Sequence, residues 1–412
     1  MTNILSKFGP GMMLAAASVG VSHLVFSTQA GANYGLSLIW FVALIVLLKY
    51  PAFRFAVTYS GATGISLVEG YGRISKLALA WLVVGFFVDM FIATSAVAML
   101  TAGLVISIFG LEFAAPQVAV ALTVGTAIVL ANGHYSKAES IVKVLVLAFS
   151  LLTLVAMLFA LPLLGSEGRP VMAELTASRS LGVFLIAIAG WMPIPTNAAV
   201  LVAEWVKEKR VATGGKFGAK EAVFDFHISY GLALFIALCF IIMGTATLFE
   251  TGREVPQAPP QFAAELFGVF TQLIGDFMYP VIVSAALAVM WSTQVALMDA
   301  LPRVMDRLLG VIFKRPSDAP SRYTAFLILQ VAGVATIVLF MLQSFAGFLV
   351  FATSMGFIAA PAIAWYNYRA LTSNDVAQED QPPRGLIVWN FVAVAVMAAF
   401  AIAFIYTLVT PQ

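Results

Sequence analysis

Hydrophobic positions in this chain come in long blocks separated by short polar segments. A bilayer core about 30 Å thick takes roughly 20 residues at 1.5 Å rise. Uncharged or nearly uncharged runs of that order lie at about 10–29, 35–58, 77–108, 115–131, 139–163, 180–203, 223–249, 278–301, 323–343, 346–368 and 386–409. The pattern predicts eleven transmembrane helices in one all-α integral membrane domain covering 1–412. The third and eighth runs exceed one straight crossing, which implies tilt or extension beyond the lipid.

Composition supports that class: 61% of the residues are apolar and 10% charged, against roughly a quarter charged in soluble chains. A net charge of +2 gives a nucleic-acid partner no electrostatic support. One cysteine, Cys239, rules out a disulfide framework and a multi-cysteine metal site. No cleavable leader is expected, because Met1 to Lys7 runs into an apolar stretch interrupted by Gly9-Pro10-Gly11. Basic residues favour the cytoplasmic side. With the N-terminus inside, Arg169, Arg179 and Arg253 are the outer cations, and the rest of the 22 Lys and Arg, Lys49 included, fall at inner loops and helix ends. The C-terminus is therefore expected outside, and the bacterial plasma membrane is the expected location.

The loops hold little chemistry. Residues 206–222, 250–263 and 370–385 read as solvated connections, with Gly214 and Gly215, Pro256, Pro259 and Pro260, and Pro382 and Pro383 respectively. No phosphate-cradling loop, hydrolase elbow or zinc motif is present, so no cofactor is expected. Function is better sought where ionisable or helix-breaking residues sit at bilayer depth, since both are costly there unless they line a cavity. Among the acids only Asp89 lies deep, twelve residues into the third run, or about 18 Å. Of the histidines, His134 falls in a loop and His227 near a span end, leaving His23 deep in the first run. Asp89 is equally compatible with a hydrogen-bonded packing contact; His23 leans towards function because of its setting.

That setting is a polar, glycine-containing stretch, Ser18-Val19-Gly20-Val21-Ser22-His23, in the middle of the first run. The sixth run has its own interruption, Gly190-Trp191-Met192-Pro193-Ile194-Pro195-Thr196-Asn197, where two prolines each remove a backbone donor. Interruptions in the first and sixth spans are the pattern of an inverted-repeat transporter. The repeats would be about 10–163 and 180–368, with 386–409 as an extra helix. Two independently kinked helices are the plainer alternative.

These residues match a known family. The run GMMLAAASVGVSHLVFSTQAGANYGLSLIW after Gly9-Pro10 resembles the opening helix of the Nramp (natural-resistance-associated macrophage protein) family, in which a broken helix follows GP. Arg54 with Thr63-Gly64-x-x-Leu67, Met192-Pro193, and Ser292-Thr293-Gln294 in a long eighth span are also similar, so the resemblance covers essentially the whole chain. It implies a LeuT-type fold with a 5+5 inverted repeat and secondary transport, usually of divalent manganese or iron coupled to protons.

The departures are equally informative. Where the family carries the metal-binding D-P-G-N motif, this chain has Gly20, Val21, Ser22 and His23. Met192 and Ala189 stand at ligand positions of the sixth helix, but Ile194 replaces the histidine of M-P-H, Phe348 the tenth-helix glutamine, and Phe87, Thr94 and Val97 the third-helix acids. At about 4 Å and an effective dielectric near 20, one lost carboxylate removes on the order of 8 kcal/mol of attraction for a divalent ion.

Three functions stay open. In a metal transporter, His23, Met192 and Ala189 would hold the cation, with Asp89 and His23 as proton-coupling groups. A transporter of a small organic solute, amino-acid-like or an organic ion, would use Trp191 and Trp291 as an aromatic wall. Gly20, Ser22, Thr196, Asn197 and Gln294 would then supply polar contacts. The third is a transport-inactive sensor. An enzyme is not expected, since no nucleophile, base and orienting group fall together. The implied partners are the transported substrate and the lipid bilayer, and a monomer suffices.

Overall fold

The computed structural model describes residues 9–131, 135–168, 170–253, 255–256, 258–316, 320–342 and 344–409. His134 and Arg169 lie outside them. Among the described residues the regular structure is helical, with one isolated bridge between Gly35 and Met172.

The first span is α1 (Pro10–Ser18), a π-helical segment (Ser22–Ser27) and α2 (Thr28–Tyr34), bent by 47° at the break. Then come α3 (Ile39–Thr63), α4 (Leu67–Ile74), α5 (Lys76–Val88) continued through a π-segment at Asp89–Ala93 into α6 (Thr94–Phe109), α7 (Ala115–Ala131) and α8 (Tyr135–Ala160). The sixth run splits into α9 (Arg179–Trp191) and α10 (Ala198–Ala212). It is followed by α11 (Ala219–Gly244), α12 (Pro259–Ile274), α13 (Tyr279–Phe313), α14 (Pro320–Thr336), α15 (Phe345–Leu371) and α16 (Arg384–Val409). Seven helices are long and apolar enough to cross a bilayer, and the bent pair makes an eighth. Shorter apolar helices at Ala115–Ala131, Leu147–Leu163 and Arg179–Trp191 coincide with the three remaining runs.

Local chemistry sets the ends. Gly64, at φ +70°, terminates α3 in the left-handed region that favours glycine. Ser66, Ser75 and Ser178 cap α4, α5 and α9, each side chain accepting a backbone N–H of the first turn. Met192 ends α9 in an extended conformation, as a residue preceding proline tends to.

Two elements depart from the sequence reading. Residues 250–263 were expected as an outer loop, yet Pro259 and Pro260 open α12, because a proline in the first helical turn lacks a donor that would be unpaired anyway. The connection 370–385 is also more engaged than a solvated linker: Asp375 pairs with Arg73 at 2.8 Å. That hydrogen bond raises the guanidinium pKa above its ordinary value.

The broken first span packs along α11. A Cβ on Gly31 would meet the carbonyl oxygen of Ile241 and one on Gly244 that of Thr28, so α2 and α11 touch backbone to backbone through small residues.

Candidate functional site

Three helical faces converge between the two breaks on a cavity of about 60 Å³, room for about two waters at liquid density. Asp89, Ala93 and Val97 recur at four-residue spacing on the third span, and the first of them opens a π-segment, a distortion frequent at functional sites. Ala198, Leu201 and Trp205 form one stripe of α10, and Thr293, Ala296 and Leu297 one stripe of α13. The breaks complete the wall with Ala17, Val21 and Ser22 from the first and Trp191, Pro193, Ile194, Pro195 and Asn197 from the second.

The wall is mostly apolar, with Asp89 as its one ionisable side chain. Asn197 donates its side-chain N–H to the Asp89 carboxylate. Ser22 ties the breaks together: its Oγ lies 3.0 Å from the Pro193 carbonyl, 3.0 Å from that of Ser18 and 2.9 Å from His23 Nδ1. Three buried polar atoms of the second break, Trp191 Nε1, Thr196 Oγ1 and Asn197 Oδ1, have no hydrogen-bond partner among the described residues. Of their residues, Trp191 and Asn197 line the cavity, and the Trp191 ring nitrogen lies towards Gly356 of α15, 3.3 Å from where a Cβ there would sit.

Of the residues singled out from the sequence, Ser22, Asp89, Trp191 and Asn197 line this cavity. Thr196 is buried beside it, and Gly20 backs onto α13, where an added Cβ would sit 3.1 Å from Thr293 Oγ1. None of the expected metal ligands, His23, Met192 and Ala189, is among the residues lining this cavity. His23 Nε2 lies 2.8 Å from the Ala233 carbonyl; that oxygen only accepts, so Nε2 carries the proton and Nδ1 faces the Ser22 hydroxyl. Both ring nitrogens are thus engaged, Nε2 joining the first span to α11 and Nδ1 facing Ser22 of its own span. Met192 and Ala189 are buried but are not among the lining residues, and the described residues hold no group of three or more His, Cys, Asp or Glu placed to bind a metal ion. Trp291 and Gln294 point elsewhere, donating to Thr126 Oγ1 and Thr123 Oγ1, both at 3.2 Å, on α7.

Two residues were missed. Trp205 supplies an aromatic surface; its spacing from Ala198 and Leu201 was the available signal. Lys49 is no helix-end cation as expected: it is buried within α3, and its ammonium donates to the carbonyls of Gly190 at 2.8 Å and Ile194 at 3.2 Å.

Leu201 and Trp205 also line a second, charged cavity, with Glu204, Glu208, Asp299, Arg303 and Arg307. Within it Arg307 pairs with Glu204, which also accepts from Ser66 Oγ, while Arg303 pairs with Asp299 at 2.8 Å. The two cavities share Leu201 and Trp205 of α10 and take successive stretches of α13.

Residues 11–407 match the family model for natural resistance-associated macrophage protein-like (Nramp) sequences. The chain belongs to the Nramp family. An uncharacterized protein of Pasteurella multocida (strain Pm70) is 28% identical over 97% of this chain and 92% of its own length. Among solved structures, a mutant of the Eremococcus coleocola manganese transporter superposes with a TM-score of 0.69 at 13% identity, over 96% of this chain and 85% of that one. MhsT in complex with L-phenylalanine gives 0.62 at 14% identity over 98% of both chains. Mhp1, a nucleobase-cation-symport-1 family transporter with bromovinylhydantoin bound, gives 0.60 at 14% identity over 96% and 90%. The Nramp chain therefore has the LeuT-type fold and is a secondary transporter resident in a lipid bilayer, not an enzyme.

Proposed function

We propose that this Nramp protein carries a small organic solute, with an amino or similar hydrogen-bond-donating head group, in the central cavity. The carrying observation is the wall itself: one carboxylate, two indoles, the Asn197 amide and the Ser22 and Thr293 hydroxyls around an otherwise apolar space. A single carboxylate balances a monovalent organic cation, and indole faces attract such a cation by about 0.5–2 kcal/mol. A bare divalent ion would keep a net positive charge there and would lack imidazole and thiolate ligands. Solved relatives of the fold bind phenylalanine and a hydantoin, so organic solutes suit this architecture.

Asp89, the ionisable group on the cavity wall, is the proton-coupling group in this reading: its carboxylate holds the cationic head group and takes up a proton when the solute leaves. His23 is assigned a structural part, with both nitrogens occupied. The protein lies in the plasma membrane with its N-terminus cytoplasmic, which puts the charged cavity at the inner face. The second reading, proton-coupled divalent metal transport, is favoured by family membership and by likeness to a manganese transporter.

One experiment separates the two. Purified protein is titrated with manganese and, separately, with a panel of amines and amino acids, and hits are followed as uptake into proteoliposomes under an imposed proton gradient. Saturable uptake of an organic solute, unaffected by manganese, supports the proposal. Saturable manganese flux with no organic hit overturns it.

A further inference from the structure

Lys49 sits between Leu48 and Tyr50 in α3 and is fully buried. A charge removed from water requires a partner or several good hydrogen bonds. Among the described residues its ammonium finds no carboxylate; its hydrogen bonds go to the Gly190 and Ile194 carbonyls. These oxygens bracket the end of α9, where the final turn leaves carbonyls unpaired and the helix dipole is negative. In transporters with interrupted helices, such carbonyl ends are where a coupling cation is coordinated.

We propose that Lys49 is a tethered monovalent cation: its ammonium occupies the carbonyl site at the break of the sixth span, so that the cavity is held in shape without a free alkali-metal ion. The residue acts by positioning. Ile194 itself lines the cavity and Gly190 precedes Trp191, which also lines it, so both hydrogen bonds fix the cavity wall from behind. This holds whichever solute is transported, because the ammonium lies behind the wall.

The test uses the full-length purified protein and its Tm in sodium, potassium or choline chloride at equal ionic strength. Wild type is expected to melt at the same temperature in all three; a saturable stabilisation of wild type by sodium or potassium overturns the proposal. Lys49→Ala is expected to melt lower and to recover several degrees, saturably, with methylammonium or ethylammonium but not tetramethylammonium. A purely structural lysine would give a low Tm that no small cation restores, and that result also overturns it. If Lys49→Ala does not fold, Lys49→Arg and Lys49→Met decide. The retained charge should keep Tm closer to wild type than the retained length, and Met equal to wild type sinks the idea.

Discussion

Asn197 donates to the Asp89 carboxylate where two cavities meet, and both residues line both of them. The second is bounded by Trp81, Val84, Gly85 and Val88 of α5 and by Met355, Gly356, Ile358 and Ala359 of α15. The pair is therefore a partition between the central cavity and the space behind the third span, and it links the π-segment of that span to the residue preceding α10.

Asp89→Asn preserves the shape of this partition and removes its titration. Solute binding by the variant should be weaker than in wild type and independent of pH, because the amide has no charge to balance the head group and no proton to exchange. Solute binding measured across a pH series checks this, and a wild-type pH profile in the variant would remove Asp89 from coupling.

Trp205→Ala and Trp191→Ala each delete an aromatic wall. Each should weaken solute binding by about tenfold, which corresponds to about 1.4 kcal/mol and lies within the range of a cation–aromatic contact. Met192→Ala and Trp291→Ala should change affinity by much less, since neither residue lines the cavity. Calorimetric titration of the four variants provides the comparison, with Met192 dominating if the substrate is a metal.

Arg307→Ala leaves Glu204 buried with its charge uncompensated. Breaking a buried ion pair on one side costs about 3–5 kcal/mol. A marked fall in Tm is expected for Arg307→Ala, and part of it should return in the double variant Arg307→Met with Glu204→Gln.

Two glycines of α9 should respond oppositely. A Cβ at Gly190 would run into the Thr353 carbonyl of α15, whereas Gly182 has nothing within 4 Å. Gly182→Ala should stabilise by up to about 1 kcal/mol through helix propensity, and Gly190→Ala should reduce folded yield, as read by size-exclusion chromatography and Tm.

Much of the fold was legible because the bilayer imposes a length on apolar runs: residues 115–131 reappear as α7 without a shift at either end. The two breaks were legible because prolines and a glycine-rich polar stretch disrupt helices by local chemistry. Helix rotation was not legible. Trp291 and Trp205 look alike in sequence, yet one turns to α7 and the other to the cavity, and that depends on packing against neighbours distant in the chain. Lys49 was hidden for the same reason. Sorting charges to the nearest span end assumes water at that end, while its actual solvent is a pair of carbonyls more than 140 positions away.

The Ser22 hydroxyl has a single hydrogen and three neighbours able to receive it: a carbonyl of its own span, a carbonyl of the other interrupted span, and an imidazole. Rotation about one side-chain bond moves that hydrogen among them, trading one hydrogen bond for another of similar strength. The two interruptions are thus fastened by a clasp that opens and recloses at little cost in free energy, which is what alternating exposure of a buried cargo demands of the pieces around it.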